Sequence, residues 1–563
     1  MSFQQSYETE LRHIRETAKD YAKLHPSVAP FLENWSNDQD VERLIEAFAF
    51  LTAKVQKRIE DGIPEIGQNI LRMVWPNALS PMPSHSIVAF NVGSKLKTAD
   101  YLIEKGHKLH CEKSGQNFSF ETLHDVKLYP LELKDVRSDL QNDKEKITLD
   151  FKFLMDSHLG ALSTYKLPLY FASSHPNALM LGFLLKENVL KTSVTDQNGK
   201  VLPVKASLSA SQYFERAGID ATQPDIFKLI PYYFNFIDLT LEHDGAESLK
   251  QVQAFKVEIQ VALKGADYLP LNKDHLRLYA VPVKNQDKVS VSPVVLTGER
   301  HQYPLRLEGN YAESQAISKI ESVESVAHFG KSKKTFHASQ DFNLEAKGKR
   351  AMYQEYIENE PLSGSPMLSL SFDQDPSNLN MSVSVEAMGF SLNAHERLGI
   401  GDIKSKREKA DAEYSYRNIA HVTPAIIPNY HESGLWTLMN YMSLRLNKLN
   451  SVEAFRKMLT TFNADAMGKS SQQKALTKKL CEGVFSVKIS VVERLYHRHF
   501  IRGNLIEVGV KETHFLNEGE IHLFGSILNE ILQSLVEVNS FNQLQMVGIE
   551  KGVRLEWPMI AQQ

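Results

Sequence analysis

Through roughly the first 75 residues, apolar positions recur at steps of three and four, the spacing of one helix face. Tyr7, Leu11, Ile14, Ala18 and Tyr21 form a coiled-coil-like seam on an otherwise charged helix. Pro26 and Pro30 end that run. Ser36 and Gln39 then stand at the spacing of a capping box, in which hydroxyl and amide satisfy N-terminal N–H groups reciprocally. The helix it opens carries Val41, Leu44, Ile45, Phe48, Leu51, Val55 and Ile59 on one stripe, widened by Ala47, Ala49 and Phe50. Pro64 predicts a fresh helix over 64–75, with Ile66, Ile70 and Met73 at helical spacing. Two or three helices have little means of hiding so much apolar surface among themselves. Either the stripe faces the chain's own core, or a partner chain completes a bundle.

From residue 86 to about 297 the texture changes to short strand-like runs with turn punctuation. Runs at 86–92, 147–153, 165–171 and 252–263 are the clearest. Asn198-Gly199 reads as a tight hairpin turn, and Asp244-Gly245 as a weaker case. One or two sandwich or barrel-like modules are expected, with a helical insertion over 177–186. Residues 298–425 read as a second β-rich module, with strands at 317–326 and 368–372. Basic stretches at 331–334 and 404–409 interrupt it, as solvated loops or as docking contacts for an acidic neighbour. Helices return with Leu435, Leu438, Met439, Met442, Leu446 and Leu449 on one stripe, and Val452, Phe455, Leu459 and Phe462 on the next. Helix, strands, helix and strand then follow to the end. The expected fold is therefore α+β and multidomain: an N-terminal helical bundle region at 1–85, β-rich modules at 86–297 and 298–425, and an α+β domain at 426–563.

Composition narrows the function. At 563 residues the chain exceeds a single core. Its 64 basic and 68 acidic side chains leave a net charge of -4, so no global attraction draws it to nucleic acid or anionic membrane. Cys111 and Cys481 lie far apart in sequence, which points to plain thiols in a reducing compartment rather than a disulfide framework. The N-terminal residues lack the basic and apolar regions of a signal peptide, and no uncharged apolar stretch reaches ~18 residues. A cytoplasmic, soluble protein is expected, without membrane insertion.

Catalytic and ligand motifs are incomplete wherever they begin. Gly468-Lys469-Ser470 ends like a phosphate-binding loop, but Asn463 stands where the earlier glycine must let backbone amides curl around phosphate. Asp373 and Asp375 open like a calcium loop, but Asn378 replaces the turn glycine and Ser384 the bidentate glutamate. His107 with His110, and His497 with His499, lack carboxylates or thiolates to complete a metal set; the second pair is expected on one face of a strand. No nucleophile elbow is present, and neither cysteine sits in a nucleophile motif. No catalytic residue, metal or cofactor is assigned, and a non-enzyme is expected. Two alternatives stay open: a cytoplasmic enzyme with an unrecognised site in the β-rich middle, and a simple adaptor.

One set of residues is more specific. Arg502-Gly503 opens a strand-like run, Ile506, Val508 and Val510. Leu523-Phe524-Gly525 opens a helix, Val538-Asn539-Ser540-Phe541 leads into Leu544, and Trp557-Pro558 follows. Together with the acidic start and Phe-Ala-Phe-Leu helix at 38–53, Trp75-Pro76 through Pro83-Ser84, and the helix at 436–449, these resemble the TssF (VasA, ImpG) family of type VI secretion baseplate wedge proteins. Residues 330–415 depart from the family pattern, with Glu386-Ala387-Met388-Gly389-Phe390 replacing a polar stretch.

The resemblance implies a non-catalytic subunit with a phage-baseplate-wedge-like architecture. Two copies would join one TssG through a helical bundle, and TssK and TssE would complete the wedge. Six wedges, with neighbouring TssF copies in contact, would ring the spike and hub and nucleate tube and contractile sheath at the inner face of the cell envelope. Leu11, Ile14, Leu44, Phe48, Leu51 and Val55 are the expected partner-bundle residues. Leu523, Phe524, Phe541 and Leu544 are expected at a second assembly contact.

Overall fold

The computed structural model describes residues 3–562 apart from 25–38, 75–78, 142–143, 173–174, 214–234, 264–269, 310–311, 326–332, 339–350, 360–365, 373–380, 406–412, 429–434, 436–445, 447–448, 462–477, 497–498 and the single positions 94, 97, 212, 246, 299, 450, 534 and 538. Helices α1 (Phe3–Leu24) and α2 (Gln39–Val74) pack against each other at the N-terminus. The helix expected to begin at Pro64 is instead the continuation of α2, which runs unbroken for 36 residues. Proline removes one hydrogen bond and crowds the preceding turn. The apolar phase nevertheless continues across it: Phe48 and Ile66 are 18 residues apart, about five full turns. Ser36 of the expected capping box lies outside the described residues.

The first β-rich body comprises three larger antiparallel sheets and a two-stranded one, Tyr101–Ile103 with Val126–Leu128, around one core. A five-stranded sheet has the order Tyr414–Asn418, His85–Val92, Ala280–Asn285, Gln116–Thr122, Lys108–Lys113. Two four-stranded sheets run Lys205–Ala210, Phe236–Glu242, Thr164–Phe171, Leu276–Leu278 and Leu131–Gln141, Lys144–Phe153, Ala254–Ala262, Val189–Asp196. Register follows the alternation of side chains. Phe255, Val257 and Ile259 pair with Phe151, Leu149 and Ile147 and are buried, while Lys256 and Glu258 between them turn outward. The expected helical insertion is α3 (His175–Glu187), which packs against strands of both four-stranded sheets. The Asn198-Gly199 turn forms as expected, with Gly199 at φ 84 and Asp196 Oδ1 accepting from Asn198 and Lys200 N–H.

The second body is an eight-stranded sheet with its own core. It includes Met381–Ser391, Gln315–Ser325, Thr335–Ala338, the docking strand Met352–Asn359, and Pro366–Phe372, in that order. Three pairings cross the expected borders. Asp287–Val289 and Val294–Leu296 both join Met381–Ser391, and Tyr414–Asn418 closes the first body's sheet beside His85–Val92.

The third body holds α4 (Val452–Thr461), α5 (Glu518–Gln533), and a sheet ordered Val484–Tyr496, His499–Val510, Ser540–Gly548, Arg554–Glu556, with Ile560–Gln562 also on Ser540–Gly548. His499–Val510 and Ser540–Gly548 are parallel, joined through α5 as a crossover helix. α5 also packs on α3, where Gly519 lets the helices approach: a Cβ there would lie 2.4 Å from the Leu179 carbonyl oxygen.

Candidate functional site

The arm helix α2 is fixed at its base and bare along one side. At its base, Leu71 enters the third body's core. Gln68 reaches the docking strand with both ends of its amide: Nε2 donates to the Ile357 carbonyl at 2.8 Å, and Oε1 accepts from the Ile357 N–H at 3.0 Å. The side chain thus replaces a neighbouring strand at that residue. One turn on, Arg72 Nη1 donates to Glu355 Oε2 at 2.7 Å.

On the other side of α2, Leu44, Phe48, Leu51, Ile66, Ile70 and Met73 are all exposed, Phe48 to 64%. At about 100° per residue these six fall within an arc of about 100°, on one face of the helix. Ala49, on a different face, is fully buried, and Leu11 and Ile14 of α1 are half-buried. Val55 lies in α2, but its side chain falls outside the described residues. Three of the expected bundle residues, Leu44, Phe48 and Leu51, therefore share the bare stripe. Leu11 and Ile14 stand on the other helix of the pair.

The four residues expected at a C-terminal contact have a different setting. Leu523, Phe524, Phe541 and Leu544 are buried in the chain's own interior, Phe524 to 2% exposure, so a partner cannot reach these side chains in this conformation. Their neighbours give the reason. A Cβ on Gly503 would lie 2.3 Å from the Phe541 ring, and one on Gly525 would lie 2.1 Å from Trp557. Arg-Gly, Leu-Phe-Gly and Trp-Pro are legible in the sequence because close packing demands those shapes. What this body does expose is the end of its long hairpin, where Val491, Leu495 and Phe500 are exposed, Phe500 to 77%. Sequence reasoning singled out the strand but missed the tip. Alternation had signalled its two-sidedness.

The candidate chemical groups remain dispersed. His107 Nε2 lies 3.0 Å from the Tyr414 hydroxyl, and burial, with His110 nearby, lowers its pKa. His497 lies outside the described residues, as do Gly468 to Ser470, Asp373 and Asp375. Burial pushes the thiols of Cys111 and Cys481 up to about 12 and about 11, so both stay protonated and unreactive. Among the described residues, no group of three or more His, Cys, Asp or Glu could hold a metal ion, and no helix is long and apolar enough to cross a membrane.

A strand-rich chain of curled sheets with a helical arm has the fold of a baseplate-complex subunit. It aligns with a chain in a structure of the type VI secretion system TssK-TssF-TssG baseplate subcomplex, with 20% identity, TM-score 0.72, and coverage of 92% of this chain and 99% of that one. A second alignment, to a chain of the baseplate complex from the type VI secretion system, has 18% identity and TM-score 0.68 and covers all of both chains. The family model for "Type VI secretion system, TssF" matches residues 1–563, and the chain belongs to that family. The type VI secretion system component TssF1 of Pseudomonas aeruginosa is 34% identical over 137 residues, a match spanning 23% of this chain and 22% of that relative.

Proposed function

We propose that this chain is a structural wedge subunit of a type VI secretion baseplate and that the α2 stripe is covered by helices of partner chains. The observation that carries this reading is the stripe itself: six large apolar side chains exposed along one helix face, on a helix anchored at its base. Soluble monomers rarely leave a contiguous apolar patch of that kind uncovered. Helix-in-groove association uses the same i, i+4, i+7 spacing as Leu44, Phe48 and Leu51. TssG is the proposed partner at the stripe, with two copies of this chain to one TssG, and α1 contributes Leu11 and Ile14 to the bundle. TssK and TssE join the same wedge. Six wedges then surround the spike and hub, on which tube and sheath assemble, in the cytoplasm at the inner face of the envelope. The role is mechanical and no reaction is assigned.

The test is co-expression with TssG and TssK from the same source, followed by native mass spectrometry. A complex with two copies of this chain per TssG is expected. It should be lost with Phe48→Asp plus Leu51→Asp, while the lone variant still folds. Undiminished assembly by that variant would remove the stripe from the interface.

A further inference from the structure

The sheet of the third body ends on an open edge. Val484–Tyr496, 13 residues long, pairs with His499–Val510 on one side, and among the described residues no strand pairs with its other side. The pairing is regular from Ser486 to Tyr496, and its one register shift lies before Ser486. Arg456 Nη2 covers the start of the edge by donating to the carbonyls of Glu482 and Val484, at 3.0 and 2.7 Å. Past that point the strand has neither proline nor bulge, two of the devices that blunt an edge. Lys488, the charge nearest its middle, is answered within the hairpin by Glu507 at 3.6 Å.

Side chains of the edge are uncovered as well. Val487, Ile489, Val491, Glu493 and Leu495 share one face. Val487 and Ile489 pack against the third body's core, whereas Val491 and Leu495 are more than half exposed, as is Phe485 at the strand's start. A long apolar edge is a template for another strand. The sequence of this one answers itself. Antiparallel pairing about a two-fold axis at Ser490, the strand's midpoint, sets Ile489 opposite Val491 of the second copy and Val487 opposite Glu493. On the other face it sets Lys488 opposite Val492 and Ser486 opposite Arg494. Phe485 then stands at each end beside Leu495 of the second copy, and no like charges face each other. Moving the axis to Val491 would set Lys488 opposite Arg494 twice, which is repulsive.

We propose that Val484–Tyr496 pairs with the same strand of a second copy of this chain, in that register, and joins the two sheets into one. Backbone hydrogen bonds supply direction, and the apolar rows to either side of Ser490 supply selectivity. The contact is isologous, each copy giving and receiving the same surface. It lies in the third body, apart from the α2 stripe, and stands whichever chain covers that stripe.

The full chain would be followed by sedimentation velocity across concentration, with Phe48→Asp plus Leu51→Asp present throughout so that the stripe adds no association. A reversible dimer is expected. Val491→Lys with Leu495→Lys should weaken it at least about tenfold, because the axis repeats each lost pair. Both positions are exposed, so the lone variant should keep its parent's melting curve. Register is read by mild oxidation of single substitutions to cysteine. Ser490→Cys should link the dimer through a disulfide, its two copies lying about 5 Å apart at the axis. Lys488→Cys, about 13 Å along the strand from its own copy, should not link alone but should link when mixed with Val492→Cys. The native Cys111 and Cys481 are buried and leave this readout clean. A monomer at every concentration would overturn the proposal. So would a dimer that the two lysines leave intact. A dimer that they break, but in which Ser490→Cys does not link, would overturn it in favour of hairpin faces meeting rather than edges. Exchange at 486–494 that slows only when TssG and TssK are added to an otherwise monomeric chain would give the edge to another protein and overturn it too.

Discussion

Helices α2 and α5 both carry a broad run of apolar side chains, but they use it in opposite ways. α5 is enclosed: its sheet lies on one side, α3 on another, and Phe524 is 2% exposed. α2 is enclosed at its base and at Ala49, yet Phe48, as large and as apolar as Phe524, is 64% exposed. The difference lies in the partners that each helix meets within the chain. α5 is flanked in sequence by the strands that cover it, whereas α2 projects past the strand that holds it. Burial of an apolar side chain of that size is worth about 1.5–3 kcal/mol, so the stripe is an unused driving force and the core of α5 a spent one.

That comparison breaks most sharply at Gly525. A Cβ there meets Trp557, so Gly525→Val is expected to cost about 3 kcal/mol or more and to lower the denaturation midpoint of the lone chain. Gln68→Leu comes next. It leaves the Ile357 N–H and carbonyl without the Gln68 amide, at about 1–3 kcal/mol, and should speed exchange of the Ile357 amide while α5 stays protected. Phe48→Asp with Leu51→Asp should shift lone-chain stability by less than about 0.5 kcal/mol, as for exposed sites, yet abolish partner capture. The smallest effect concerns Glu530 on α5. Burial raises its pKa, so the folded state holds this proton more firmly than the unfolded state. Its contribution is greatest at low pH and is lost as pH rises through the folded value. Glu530→Gln should therefore stabilise the chain relative to the parent at pH 8 more than at pH 5, as read from parallel melting curves.

The elements were largely legible in the sequence and their neighbours were not. The strand runs at 86–92, 147–153, 165–171 and 368–372 and the insertion at α3 all form, because alternation and period record local burial. Pro64 misled because a local breaker rule was set against a stripe whose phase passes through it. The Leu-Phe-Gly and Arg-Gly strings stood out as a set, but their pattern records tight packing and not which body supplies it, so core residues read as an assembly contact. The anchor was invisible: Gln68 and Arg72 meet partners 289 and 283 residues away. The same distance effect hides the pairing of Val88 with Asn418, which places the chain's early and late segments in one sheet.

The double attachment at the foot of α2 has a mechanical consequence. Gln68 and Arg72 lie one turn apart, about 6 Å along the axis, while the helix extends for about 43 Å beyond Gln68 to its first residue. The foot therefore acts as a short fulcrum under a long lever, with a ratio of about seven. A slack of 1 Å at either attachment would swing the far end by about 7 Å, more than the width of a side chain. Whatever tightens or loosens that footing sets how sharply the free end is aimed.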